Sequence, residues 1–199
     1  MNQPLFTYDE SAAASAGQSN FIKESGAYVI TIDEAKVVTT PNGAKFIEFS
    51  GESPDGHQIQ YLSVCINKKD GTSNTYGVNM VQAIMGCASV GSISEKMLSA
   101  SQTIVPEFSG KRVGLLLQKI LRTKQDGSDT YNFEIRIPFY ADTRQTIKEK
   151  IDGQPAKTVD IMLSTLKDKD ERRQNPGYSG QPGSNDLPPA SAYEDSIPF

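Results

Sequence analysis

Residues 26–67 run GAYVITIDEAKVVTTPNGAKFIEFSGESPDGHQIQYLSVCIN, and the rhythm of this stretch decides the fold class. Tyr28, Ile30 and Ile32 alternate with Val29, Thr31 and Asp33, the period-two pattern of a half-buried strand. Val37 and Val38 continue it past an irregularity near Glu34. Pro41-Asn42-Gly43 then forms a turn, because proline pre-sets φ and Asn-Gly tolerates positive φ. A second strand, Lys45 to Ser50, puts Ile47 and Phe49 on one face and Phe46 and Glu48 on the other. After the turn Ser53-Pro54-Asp55-Gly56, a third strand runs from His57 to Asn67. Its Leu62, Val64 and Ile66 make an apolar face that Gln58 and Gln60 extend, with Ile59, Tyr61, Ser63 and Cys65 opposite.

Beyond Lys68-Lys69-Asp70-Gly71 the period changes. Val78, Val81, Ile84, Met85 and Ala88 recur at spacings of three and four, as an amphipathic helix requires. Ser92-Ile93-Ser94-Glu95 has the form of a capping box and predicts a short second helix. Gly110 returns the chain to strands: Val113, Leu115 and Leu117 alternate with Arg112, Gly114 and Leu116 as far as Arg122. Gln125-Asp126-Gly127-Ser128 is a hairpin turn, and Tyr131, Phe133, Ile135, Ile137 and Phe139 follow on one face. Thr143 to Ile151 and Thr158 to Lys169 read as helices, the second with an apolar stripe of Val159, Met162, Leu163 and Leu166 that suits docking on the sheet.

The pattern divides the chain into four parts: an N-terminal arm (1–25) predicted to be poorly ordered, a β-domain (26–140), a helical extension (141–173) and a tail (174–199). The tail holds five prolines, three glycines and four serines in 26 residues, a composition that predicts a disordered linker. No apolar run approaches the roughly 18–20 residues needed to span a bilayer. The start of the chain lacks the basic and apolar segments of a secretory signal, so a cytoplasmic location is expected. Cys65 and Cys87 are too few for a disulfide framework and too far apart for a zinc site, and read as packed residues in a reducing compartment. No metal or cofactor is expected.

Strand, strand, strand, helix, strand, strand is the element order of the OB-fold, a five-stranded, partly open Greek-key barrel that binds oligonucleotides across strands 2 and 3. The expected fold is thus mainly β: an OB-fold-like barrel with a helix between strands 3 and 4 and helices after it. If Ile47, Phe49, Leu62 and Val64 face the core, Phe46 and Tyr61 face outward. The formal charge of −4 argues at first against a nucleic-acid partner. Distribution matters more than the total. The tail carries Asp186, Glu194 and Asp195 and no base; setting it aside leaves 20 bases against 21 acids. Phe108 to Gln125 holds Lys111, Arg112, Lys119, Arg122 and Lys124 with no acid. Outward Phe46 and Tyr61 beside Lys45, Lys111, Arg112, Arg122 and Lys124 form the candidate DNA-binding set: cations neutralise phosphates while aromatic rings stack on bases with little regard to identity.

The chain closes on Glu194-Asp195-Ser196-Ile197-Pro198-Phe199. This resembles the C-terminal tip of bacterial single-stranded DNA-binding proteins, an acidic run followed by Ile-Pro-Phe, with Ser196 in place of an acid. In that family the tip binds replication, recombination and repair enzymes, so the resemblance implies such partners for Glu194, Asp195, Ile197, Pro198 and Phe199. An aromatic side chain beside an α-carboxylate suits an apolar pocket rimmed by Arg or Lys.

Residues 21–28 (FIKESGAY), Ile47-Glu48-Phe49, Tyr61-Leu62, residues 67–71 (NKKDG) and residues 110–118 (GKRVGLLLQ) are similar to bacteriophage-encoded single-stranded DNA-binding proteins over about residues 20–150. The resemblance implies a protein that coats single-stranded DNA during phage replication or recombination. Two other readings compete. An enzyme would need a catalytic constellation, but His57 is the only histidine and neither a phosphate-cradling loop nor a nucleophile elbow is present. An adaptor whose barrel binds protein, and whose tail imitates the host tip to capture host replication enzymes, fits the tail and the acidic total equally well.

Overall fold

The computed structural model describes residues 6–10, 13, 20–100 and 102–172. The predominantly β expectation holds. Strands β1 (Gly26–Thr39), β2 (Lys45–Glu52) and β3 (Gln58–Asn67) form an antiparallel meander, followed by helix α1 (Thr75–Cys87). Next come the short strands β4 (Lys96–Ser99) and β5 (Gln102–Ile104), then the long hairpin of β6 (Arg112–Thr123) and β7 (Asp129–Phe139). Helices α2 (Ile147–Ile151) and α3 (Thr158–Thr165) lead to a two-residue strand, β8 (Lys169–Asp170).

One eight-stranded sheet joins these strands. β1 is its hub. Residues Gly26 to Thr31 of β1 pair with β6, and beyond a bulge between Ile32 and Glu34 the strand lies between β2 and β5. The principal path is therefore β3-β2-β1-β6-β7, with β4 and β5 as a side hairpin and β8 added in parallel to β6. Among the described residues no ladder joins β3 to β7, so the sheet is open at that seam, where the expectation was a five-stranded, partly open barrel. Bulges at Tyr61 in β3 and Arg136 in β7 interrupt the regular edges that a closing ladder requires.

The core lies inside this curved sheet. Ile30, Ile32, Ile47, Phe49, Leu62, Val113, Leu115 and Leu117 are buried against Val81, Ile84 and Met85 of α1. Phe49 and Phe108 meet edge to face with centroids 5.1 Å apart. The start of α1 presses on β3 so closely that a Cβ at Gly77 would come within 1.7 Å of the Cys65 carbonyl oxygen. Only glycine fits there. Cys65 and Cys87 are free, and burial pushes the Cys87 thiol up to about 12.

Several local expectations need correction. The arm does not wait for Gly26 to take up structure: Gln58 donates to Asn20 O, Ile22 donates to Gln58 O, and Ile22 is buried. Residues 92–95 form no helix. Glu95 cannot cap it because its carboxylate pairs with Lys45, while Ser94 donates to Glu107. The helices of the extension are shorter than predicted, and Lys169-Asp170 is strand rather than helix end. Val159 of the docking stripe is buried, with Met162, Leu163 and Leu166 half-buried. The extra residue at Arg136 also splits the face assigned to β7. Ile135 stays opposite Leu117 in the core, whereas Ile137 and Phe139 turn to the other face, opposite Leu116 and Gly114.

Candidate nucleic-acid interface

Pairing of Phe46 with Cys65, Ile47 with Val64 and Phe49 with Leu62 fixes the faces of β2 and β3. Ile47, Phe49, Leu62 and Val64 are buried as expected; Phe46 is half-buried on the opposite face and Tyr61 is 70% exposed. Simple alternation fails at one point. Ile59, expected beside Tyr61, is buried, because the ladder slips between Phe49 and Gly51 and Tyr61 takes up the slack at φ 61°. A left-handed conformation in a bulky residue is uncommon, and such strain concentrates at functional sites.

Where β3 and β7 fail to pair, a groove of about 510 Å³ remains. Phe46, Tyr61 and Ser63 line one bank; Tyr131, Asn132 and Glu134 line the other, with Arg122 at the hairpin end. The structure thus brings together Phe46, Tyr61 and Arg122 from the expected set. It adds Tyr131, which packs edge to face on Phe133 at 5.7 Å and lies under the Lys119 ammonium at 4.8 Å. The alternation through Phe139 placed Tyr131 on one face with Phe133 and Ile135, which are buried. Its place three residues after the 125–128 turn, at the end of a long hairpin that overhangs the core, is the signal that points outward.

The cations do not form one patch. Arg112 and Arg122 stand at opposite ends of β6, ten residues and so roughly 33 Å apart. Arg112 pairs with Asp142 at 3.1 Å, and Lys111 is exposed beside it, so both fall away from the groove. Neither of them lines the groove. Lys45 adjoins Phe46 but holds Glu95. Lys124 is exposed in the β6–β7 turn.

Arg122 itself is engaged from behind. The chain returns after α3 as a strap: Gln118 donates to Lys167 O, Ser25 donates to Asp168, and Glu171 N donates to Leu121 O at 2.8 Å. Glu171 then meets Arg122 at 3.2 Å and Lys169 at 2.6 Å. The Lys169 hydrogen bond first, and then the charges of Lys169 and Arg122, hold the Glu171 carboxyl below its ordinary value. Arg172 closes the strap by bonding Asp129 at 2.9 Å. Glu194, Asp195, Ile197, Pro198 and Phe199 lie outside the described residues.

A groove lined by the half-buried ring of Phe46 and the exposed rings of Tyr61 and Tyr131, with the Arg122 guanidinium at one end, can take flat, π-faced groups and hold an anion beside them. Among the described residues no helix is long and apolar enough to cross a membrane. The chain matches no protein-family model and no curated protein.

Proposed function

We propose that this protein binds single-stranded DNA in the groove between β3 and β7, and that the path β3-β2-β1-β6-β7 with α1 after β3 is an OB-fold. The observation that carries the proposal is the convergence of Phe46, strained Tyr61 and Tyr131 on one groove with Arg122 at its end. Unpaired bases offer π-faces to such rings, and stacking contributes about 1–3 kcal/mol per base. In duplex DNA those faces are already covered. The tail, with its likeness to the tip of bacterial single-stranded DNA-binding proteins, would bring replication, recombination and repair enzymes to the coated strand in the host cytoplasm.

Fluorescence anisotropy with a labelled mixed-sequence oligonucleotide tests this. Binding should be tighter to the single strand than to a duplex of equal length, and should weaken as salt rises. Equal affinity for both forms would remove the stacking mechanism. The adaptor reading draws on one observation, the absence of a β3–β7 ladder among the described residues, which leaves strand edge there that could accept an extended peptide as an added strand. It predicts no salt-sensitive DNA binding at all.

A further inference from the structure

β4 and β5 lie off the principal path β3-β2-β1-β6-β7, yet their register ties them to the face that carries Phe46. Residues directly opposite each other in an antiparallel ladder point to the same side of the sheet. Lys96 is opposite Ile104, Ile104 opposite Lys36, Lys36 opposite Glu48, and Glu48 opposite Ser63. One row of side chains thus crosses five strands, from β4 at the sheet edge to Ser63 in the wall of the groove. The row lies on the outer face. Glu48 is two residues from Phe46 on β2, and Lys36 is two residues from Val38, which stands opposite Phe46. Val37, between them, points the other way and packs on the core. From β3 to β4 is four inter-strand spacings, about 19 Å.

Charge along the row is uneven. At the groove end Ser63 donates to Glu48 at 3.3 Å, and in the middle Lys36 pairs with Glu34 at 2.8 Å. The Lys36 ammonium is held above its ordinary value by the Glu34 hydrogen bond first, opposed by burial, and then by the charges of Glu34, Glu48 and Tyr61. Tyr61 is therefore within electrostatic reach of the row. At the far end Lys96 is exposed and forms no ion pair among the described residues. Its neighbour Glu95 is already neutralised by Lys45. A phosphate that reaches Lys96 gains a cation without displacing a carboxylate. Resting on the single-stranded DNA reading above, we infer that the β4–β5 hairpin extends the DNA path across the outer face of β2 and β1, with Lys96 as a phosphate contact at its far end. The groove then holds only part of the bound strand.

The test is anisotropy in low salt with labelled mixed-sequence single strands of about 5 and about 15 nucleotides, near the two ends of the range that one OB-fold covers. The full chain is compared with Lys96→Gln and Lys96→Arg. The native chain should bind the longer strand more tightly. Lys96→Gln should weaken the longer strand by up to about fivefold, as loss of one exposed ion pair allows. It should also lower the salt slope for that strand by about one unit. The shorter strand, which the groove accommodates, should bind the variant as it binds the native chain, and Lys96→Arg should behave like the native chain at both lengths. Melting temperatures of the three proteins check the fold. Unchanged affinity and slope for the longer strand in Lys96→Gln, or an equal loss at both lengths, overturns the inference while leaving binding in the groove in place. Failure of the native chain to bind either length overturns the parent reading and this inference together.

Discussion

Tyr61 holds the clearest conflict between stability and use. At φ 61° its Cβ crowds the following carbonyl, at a cost of about 1–2 kcal/mol that glycine would not incur. Its ring gains little in return from packing, being 70% exposed. Tyr61→Gly should therefore raise unfolding stability by up to about 1 kcal/mol, part of the relief being offset by the greater freedom of glycine in the unfolded chain. The same change should weaken single-strand binding by about 1–3 kcal/mol through loss of one stacking platform. Denaturant melts and anisotropy on one preparation measure both. A variant that binds as tightly as the native chain would show that Tyr61 is no platform. The outward position of Tyr61 was legible from alternation; the slip that creates it was not. Ile59 and Leu62 are both apolar, and nothing in residues 58–62 says that the two positions between them, Gln60 and Tyr61, must share the solvent side.

At the scale of elements, two capping-box sequences have opposite fates. Ser92-Ile93-Ser94-Glu95 opens no helix because Lys45 and Glu107 reach its side chains first. Thr146-Ile147-Lys148-Glu149 opens α2, with Thr146 Oγ1 accepting from Glu149 N at 3.2 Å and Glu149 accepting from Thr146 N at 2.8 Å. Local pattern alone cannot separate them, since the deciding cation stands fifty residues away in one case. The second box also reaches further. Glu149 accepts from Lys157 N at 2.8 Å and Thr158 N at 2.7 Å, so one buried carboxylate ties the starts of α2 and α3 together. Burial pushes its pKa up, but the converging N–H groups of Thr146, Lys157 and Thr158 outweigh this and hold it down to about 2. Being lowered in the folded state from the ordinary 4.5, the group contributes stability above pH 4.5 and loses it as pH falls toward 2. Glu149→Ala should cost about 1–3 kcal/mol at neutral pH by leaving buried donors unpaired. The gap in melting temperature between variant and native chain should close as pH falls through that window. A gap that is constant with pH would mean that packing, not the carboxylate, joins the helices.

Across the whole molecule, the order of the principal strands was legible because each carries its own period and is bounded by turn residues. What escaped the sequence is long-range: the β4–β5 side hairpin, the split of the basic stretch along β6, and the strap that returns from α3. The strap matters most, because it places the root of the tail at the hairpin end of the groove and sets Glu171 against Arg122. It also covers β6 beside Ile120, which is fully buried. Two truncations separate the strap from the tail. A chain ending at Arg173 removes Asp186, Glu194 and Asp195 and keeps the strap. It should melt like the full chain and bind single-stranded DNA at least as tightly, with any gain shrinking as salt screens the lost carboxylates. In pull-downs from a bacterial lysate it should no longer retain replication and repair enzymes. A chain ending at Leu166 also loses Lys169, Asp170 and Glu171, leaving part of the β6 edge unpaired and Ile120 uncovered. That chain should melt at a clearly lower temperature, by several degrees for each kcal/mol lost. Equal melting of the two truncations would make residues 167–172 a mere lead-in to the tail and would free Arg122 from any structural duty. Enzyme capture that persists in the chain ending at Arg173 would move the partner-binding surface from the tip onto the folded sheet.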